Sequence, residues 1–131
     1  MKAIYTPDAP EAVGPYSQAI VSGGMLYTSG QIPLDPATGT MVEGDIEQQA
    51  TRVMENLGAV LRAGGSDFQH AVKVNCYLSD MSLFADFNTV YARYFTTKPA
   101  RSCVAVRELP KGALLEVEVV AETTTGNVMK L

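Results

Sequence analysis

Apolar residues recur at helical spacing along a first long stretch of the chain. Asp45 can cap its start, and Gln48 three residues later completes the pattern of a capping box. Gly64 and Gly65 are typical of a helix end. The pattern predicts a helix whose buried face carries Ile46, Ala50, Val53, Met54, Leu57, Val60 and Leu61.

A second stretch has the same spacing and predicts a second helix. Either Asp80 or Ser82 can cap it, and Pro99 marks its far boundary. Its inward residues are expected to be Leu83, Phe84, Phe87, Val90, Tyr91, Tyr94 and Phe95.

The remaining apolar runs are short and alternate, as in strands. Gly23-Gly24 predicts a tight hairpin, because primed turns require positive φ. A long loop from Gln31 to Gly44 follows, and its length favours a functional role. The predicted strands are 2–5, 16–22, 25–29, 71–78, 101–106 and 114–121.

The order of elements is strands, helix, strand, helix, strands. Two helices can cover only one face of a sheet, so the chain predicts a single domain over 1–131, a two-layer α/β (α+β) fold with a mixed sheet. Alternation within the strands predicts an uncovered face that is too apolar for water and too charged for a core, so a second subunit is expected to cover it. That face is expected to carry Lys73, Asn75, Tyr77, Arg101, Cys103, Ala105, Leu114, Glu116, Glu118 and Val120.

Composition narrows the classes of function. The net charge is −4 and no basic block occurs, so nucleic acid is not an expected partner. No stretch has the apolar length of a membrane span or of a signal peptide, and Cys76 and Cys103 lack CxxC spacing, which favours the cytoplasm. With His70 as the single histidine, a metal site of the usual histidine-rich kind is not expected.

Arg101 and Glu116 carry the candidate chemistry. A guanidinium binds a carboxylate bidentately, and a nearby carboxyl of tuned pKa can move a proton or orient water. The alternative is a cross-strand salt bridge between them. Glu118 is a weaker candidate for the acid–base role and fits a structural role better.

Cys103 could be a nucleophile or a small packing residue, and the sequence shows no base beside it, since His70 precedes a different strand. Tyr16, Ser29, Gly30 and Asn88 are polar or permissive residues at plausible places, and none is informative alone.

Several motifs together resemble the signature of the Rid/YjgF family of reactive intermediate deaminases. The most specific is Pro99-Ala100-Arg101-Ser102-Cys103-Val104, which is followed by Leu109-Pro110-Lys111-Gly112-Ala113-Leu114 and Glu116. The resemblance runs from Tyr5 to about Ala121, and further matching segments are 14–19, 28–33, 55–57 and 77–81 with Phe84 and Asn88.

The resemblance implies a chorismate-mutase-like trimer with three active sites in clefts between subunits. It implies hydrolysis of 2-enamine and 2-imine acids, such as 2-iminobutanoate and 2-iminopropanoate, to 2-keto acids and ammonia. These substrates are made by pyridoxal-phosphate dehydratases, and the deaminase itself needs no cofactor and no metal.

The resemblance also implies roles for single residues. Arg101 would hold the substrate carboxylate, and Glu116 would position or activate water. The backbone at Cys103 and Gly30 would contact the substrate. The cleft would be lined by Ser29, Asn88 and, reaching in from a neighbouring subunit, Tyr16.

Two alternatives remain open. One is a non-catalytic protein that binds small carboxylates and would need Arg101 but no water-positioning acid. The other is a ribonuclease or translation inhibitor, which the acidic balance disfavours. The chain also departs from the family in a short segment at 96–98 and a long tail after Ala121, which bears on substrate preference more than on reaction type.

Overall fold

The computed structural model describes residues 1–124. In chain order the strands and helices are β1 (Lys2–Ile4), β2 (Ala19–Ser22), β3 (Met25–Thr28), α1 (Ile46–Ala63), β4 (Ala71–Leu78), α2 (Phe84–Tyr94), β5 (Ala100–Ala105) and β6 (Leu115–Glu122). Short 3₁₀ turns precede β4, α2 and β6 at Phe68–His70, Met81–Leu83 and Pro110–Gly112. Of the predicted C-terminal tail after Ala121, residues 122–124 are described and residues 125–131 lie outside the described part.

The strands form a six-stranded sheet in the order β1-β2-β3-β6-β4-β5. All neighbours are antiparallel except β4 and β5, which run parallel, so the sheet is mixed. Both helices contribute to one buried core with the inner face of the sheet. The predicted two-layer α+β fold with two helices on one face is therefore confirmed.

The start of α1 follows from its capping box. Asp45 Oδ1 accepts a hydrogen bond of 3.0 Å from the Gln48 amide, and Gln48 Oε1 accepts one of 2.9 Å from the Asp45 amide. Behind this cap every apolar position predicted to face inward is buried, from Ile46 to Leu61. Local capping and apolar spacing therefore determine this helix, as predicted.

The hairpin between β2 and β3 turns through Gly23 and Gly24, with φ of 59° and 76°. These values suit a primed turn and would strain most side chains. The regular strand before it is shorter than predicted, because it begins at Ala19 and not at Tyr16. Residues 16–18 form a bend that carries part of the candidate site.

The prediction for the face of β5 is wrong. Arg101 lies opposite Val74 and Cys103 opposite Cys76 in the parallel register with β4, and residues in register share a face. Since Val74 and Cys76 point into the core, Arg101, Cys103 and Ala105 point toward the helices, and Val104 on the other face is 49% exposed. The partner strand, and not the apolar character of β5, decides this. Leu114 likewise packs against the core.

The rest of the predicted uncovered face is confirmed. Tyr77 pairs with Glu116, and Asn75 pairs with Glu118, across β4 and β6. These residues alternate with fully buried positions and are themselves only half-buried. The open face, a term used below for this surface, comprises Lys73, Asn75, Tyr77, Ser102, Val104, Glu116, Glu118 and Val120.

The loop after β3 is fixed to the sheet and to α1. Gln31 exchanges two backbone hydrogen bonds with Val117, of 2.9 Å and 3.2 Å. The fully buried Asn56 donates its side-chain amide to the Leu34 carbonyl at 2.9 Å. Ile32, Leu34 and Ala113 form a small second core at this place. Within residues 1–124, neither helix has the length and apolar character needed to span a membrane.

Replacing Asn56 by Ala should lower the free energy of unfolding by about 1–3 kcal/mol, because loop carbonyls would lose their buried donor. Urea denaturation followed by circular dichroism measures this. The control is Glu55→Ala, which removes an exposed partner of Arg52 on the same helix and should change stability by less than about 0.5 kcal/mol. Equal effects of the two substitutions would show that Asn56 does not anchor the loop.

Candidate functional site

Arg101 is held against α2 by three side chains. Its Nη1 donates a 2.7 Å hydrogen bond to Asn88 Oδ1. Its Cζ lies 4.7 Å from the centre of the Tyr91 ring and 5.5 Å from that of Phe84. The three partners follow one another at i, i+4 and i+7, so they share one face of the helix. The guanidinium is thus fixed in place, and its other N–H groups have no described protein partner.

Tyr91 and Phe84 were predicted only as core residues. Their spacing around Asn88 could have indicated that they hold Arg101, because two aromatic residues that flank an amide on one helix face can hold a planar cation. The sequence did not show that Arg101 would turn toward them.

A cavity of about 220 Å³ lies between the end of α2 and the start of β5. Arg101 forms part of its wall. The other lining residues are Tyr91, Ala92, Phe95, Thr96, Lys98 and Pro99. A cavity beside a fixed guanidinium is a suitable place for a small carboxylate ligand.

Glu116 lies on the open face and packs against Gly30. A Cβ at position 30 would lie 2.5 Å from Glu116 Oε2, so only glycine fits there without displacing the carboxyl group. Burial raises the pKa of Glu116 above its ordinary value, and the neighbouring Glu118 carboxylate raises it further. A carboxyl group with a raised pKa is suited to proton transfer.

Glu118 has a structural partner. Tyr77 Oη donates a 2.9 Å hydrogen bond to Glu118 Oε1, and this bond raises the pKa of Tyr77. Glu116 has no comparable hydrogen bond to a side chain within the described residues. The two acids therefore differ in environment, as the sequence suggested.

Tyr16 and Ser29 lie on the same side of the protomer as Glu116. Ser29 Oγ donates a 2.6 Å hydrogen bond to the Ser17 carbonyl. Tyr16 is 48% exposed, and its Oη accepts a 3.2 Å hydrogen bond from the Val13 amide. Tyr16 and Gly30 line one small cavity together. The structure therefore brings Tyr16, Ser29, Gly30 and Glu116 into one region.

Cys103 has the environment of a packing residue. Burial raises the pKa of its thiol, an effect that the charge of Arg101 partly offsets, so the thiol stays protonated at neutral pH. His70 is paired with Asp67 at 2.7 Å, at the opposite end of β4 from Leu78. No base was found beside the thiol in the described part of the chain.

The backbone of Cys103 faces outward from the sheet. Val106 donates its amide to the Leu78 carbonyl at 2.9 Å, so alternate residues of β5 bond to β4. Cys103 belongs to the other set, and β5 is an edge strand. Its N–H and C=O therefore lie on the free edge, where a ligand or another chain can reach them.

Arg101 and Glu116 do not meet within one protomer. Their side chains project from opposite faces of the sheet, and β4 lies between their strands. Strand spacing and rise place their Cα atoms roughly 14 Å apart. The predicted alternative of a salt bridge between them is therefore wrong for the single protomer, and so is their placement on one shared face.

Metal ligation has little support. No group of three or more His, Cys, Asp or Glu side chains that could hold a metal ion occurs within residues 1–124. Of the two acids on the open face, Glu118 accepts a hydrogen bond from Tyr77, and Glu116 packs against Gly30.

Fold and site define a class: a two-layer α+β domain with a fixed arginine at a sheet edge and a carboxyl group of raised pKa on the other face. The sequence matches the family described as Endoribonuclease L-PSP over residues 6–123. The chain belongs to this family, which is the Rid/YjgF family predicted from the motifs, and that prediction is confirmed.

Individual relatives are similar over nearly their whole length. Protein DfrA of Myxococcus xanthus is 54% identical, with 92% of this chain and 94% of that protein covered. The Rid family protein YyfA from Yersinia pestis is 47% identical, with 93% and 98% covered and a TM-score of 0.90. The structure of E. coli TdcF with bound serine is 39% identical, with 95% and 100% covered and a TM-score of 0.89.

Replacing Glu118 by Gln should lower the pKa of Glu116, because a neighbouring like charge is removed while shape is kept. Carboxyl-carbon NMR titration of Glu116 measures this. Because the pKa of Glu116 in the folded protein lies above the ordinary 4.5, the protonated carboxyl group stabilises the folded state. The free energy of unfolding should therefore fall as the pH rises from 4.5 through the raised pKa. An unchanged or higher pKa in the variant would contradict this assignment.

Proposed function

We propose that this protein hydrolyses 2-enamine and 2-imine acids, including 2-iminobutanoate and 2-iminopropanoate, to 2-keto acids and ammonia. The observation that carries the proposal is the combination of a fixed guanidinium beside a small cavity and a glutamate of raised pKa. The first group suits a substrate carboxylate, and the second suits proton transfer.

Arg101 would bind the carboxylate of the substrate. The Arg101 guanidinium has five N–H donors, and Asn88 accepts a hydrogen bond from one of them. Two parallel hydrogen bonds to a carboxylate therefore remain possible. The free N–H of Cys103 on the edge of β5 could add a further bond. These contacts would orient the imine carbon for attack and reduce the entropic part of the barrier.

Glu116 would transfer protons during the hydrolysis. An enamine first tautomerises to the imine. Water then adds to the electrophilic carbon, the nitrogen takes up a proton, and ammonia leaves as the carbonyl forms. Glu116 would take a proton from water and return it to the nitrogen, a role that its raised pKa supports.

A homotrimer would bring the two groups together. Since Arg101 and Glu116 lie on opposite faces of one sheet, a small substrate can touch both only if they come from different subunits. A neighbour that covers the half-buried open face would also shield Tyr77, Val104 and Val120 from water. On this arrangement Tyr16, Ser29, Gly30 and Glu116 come from one subunit, and Asn88, Arg101 and Cys103 from the next.

The proposal requires no cofactor. An imine carbon is already electrophilic, so binding, orientation and proton transfer supply what hydrolysis needs. Pyridoxal-phosphate dehydratases would supply the substrate, and the cytoplasm would be the setting. The serine bound to the relative TdcF supports a small ligand with a carboxylate. Glu116 and Glu118 on the open face disfavour a nucleic-acid substrate.

The test couples threonine dehydratase to the protein and follows keto-acid and ammonia release. Glu116→Gln keeps the shape but removes the proton capacity, so turnover should fall on the order of 100-fold or more. The matched control is Glu55→Gln, on the exposed surface of α1, which should retain wild-type turnover.

Two results would contradict the proposal. Wild-type turnover in folded Glu116→Gln would remove Glu116 from the chemistry. Keto-acid binding by the wild type without any acceleration of imine hydrolysis would favour the alternative of a non-catalytic carboxylate-binding protein.

A further inference from the structure

We infer that the cavity beside Arg101 receives the side chain of the substrate, so that the preferred 2-imino acids carry an apolar side chain longer than ethyl. This inference rests on the proposed function, because it takes Arg101 as the carboxylate-binding residue. It narrows the substrate class of the proposed function to acids with longer apolar side chains.

The walls of the cavity are mostly apolar. Tyr91 and Phe95 stack on each other with ring centroids 4.6 Å apart, and both residues line the space. Ala92 borders it from α2 and Pro99 from the strand side. Contact with such walls favours hydrocarbon over a hydrated polar group.

A tight turn shapes the cavity. Lys98 has a φ of 56°, a left-handed value that is uncommon outside glycine, and its amide bonds to the Phe95 carbonyl at 3.4 Å. The turn brings Pro99, whose own φ is fixed by its ring, opposite the end of α2. The lining of the cavity therefore includes a stacked aromatic pair and a proline whose ring restricts its backbone.

Charge and size specify the ligand further. The charged lining residues, Arg101 and Lys98, are both cations, so the ligand should be an anion. The volume of about 220 Å³ is smaller than the roughly 300–1,000 Å³ of sites for drug-sized ligands. A carboxylate on Arg101 with a hydrocarbon side chain against Tyr91 and Phe95 satisfies both the charge and the walls.

The product keto acids provide a binding test that needs no turnover. Pyruvate, 2-oxobutanoate and 4-methyl-2-oxopentanoate would be titrated into the protein by calorimetry. Affinity should rise about three- to fourfold for each added carbon that becomes buried, so the branched acid should bind most tightly. Constant or falling affinity along the series would overturn the inference. Tighter binding of 2-oxoglutarate than of the branched acid would also overturn it, since Lys98 would then pair with a second carboxylate.

Ala92→Leu should fill the cavity from α2. In this variant the affinity should no longer rise with chain length, and the loss of affinity should be largest for 4-methyl-2-oxopentanoate and smallest for pyruvate. Ala85→Leu is the matched control, because Ala85 is also an exposed alanine of α2 but does not line the cavity. This variant should keep the full increase in affinity with the length of the keto acid. Thermal melts followed by circular dichroism would verify that both variants are folded.

The outcomes separate this inference from the proposed function. If Ala92→Leu binds the branched acid as tightly as Ala85→Leu does, the cavity does not hold the side chain, even if imines are hydrolysed. If affinity rises with chain length in the wild type and in Ala85→Leu but not in Ala92→Leu, and no imine is hydrolysed, the subsite is supported and the proposed reaction is wrong.

Discussion

The parallel, in-register pairing of β5 with β4 is the constraint on which the candidate site depends. It turns Arg101 toward α2, where Asn88, Tyr91 and Phe84 hold the guanidinium. It also leaves the backbone of Cys103 on a free sheet edge. Had β5 paired one residue out of register, every side chain on it would face the other way, and the arginine would lose all three partners.

The distance between Arg101 and Glu116 has a chemical consequence. A guanidinium next to a carboxylate favours its charged form and lowers its pKa. Within one protomer Glu116 is kept from this by its place on the other face, and burial and Glu118 raise its pKa instead. In the proposed shared site the carboxylate of the substrate would pair with the neighbour's Arg101 and offset its charge. Gly30, which leaves room for the carboxyl group, and the loop fixed by Asn56 preserve that environment. A carboxyl group able to exchange a proton and a permanent cation can thus coexist in one small domain.

The sequence predicted most of the fold because its determinants are local. The Asp45 capping box, the apolar spacing of α1 and the turn at Gly23 and Gly24 each follow from neighbouring residues. The face of β5 could not be predicted in this way, because alternation shows which residues share a face and not which face meets the helices. Arg101 and Glu116 were identified as candidates by residue type and motif, but their placement on opposite faces needed the register of three strands.

The most direct test of a site shared between subunits mixes two inactive variants. Arg101→Ala and Glu116→Gln would be unfolded together, refolded at equal amounts and assayed for imine hydrolysis. If each site takes Arg101 from one subunit and Glu116 from the next, each mixed trimer contains one intact site, and random mixing should restore about a quarter of wild-type activity. Activity no higher than the average of the two variants alone, in trimers shown to be mixed, would contradict the shared site.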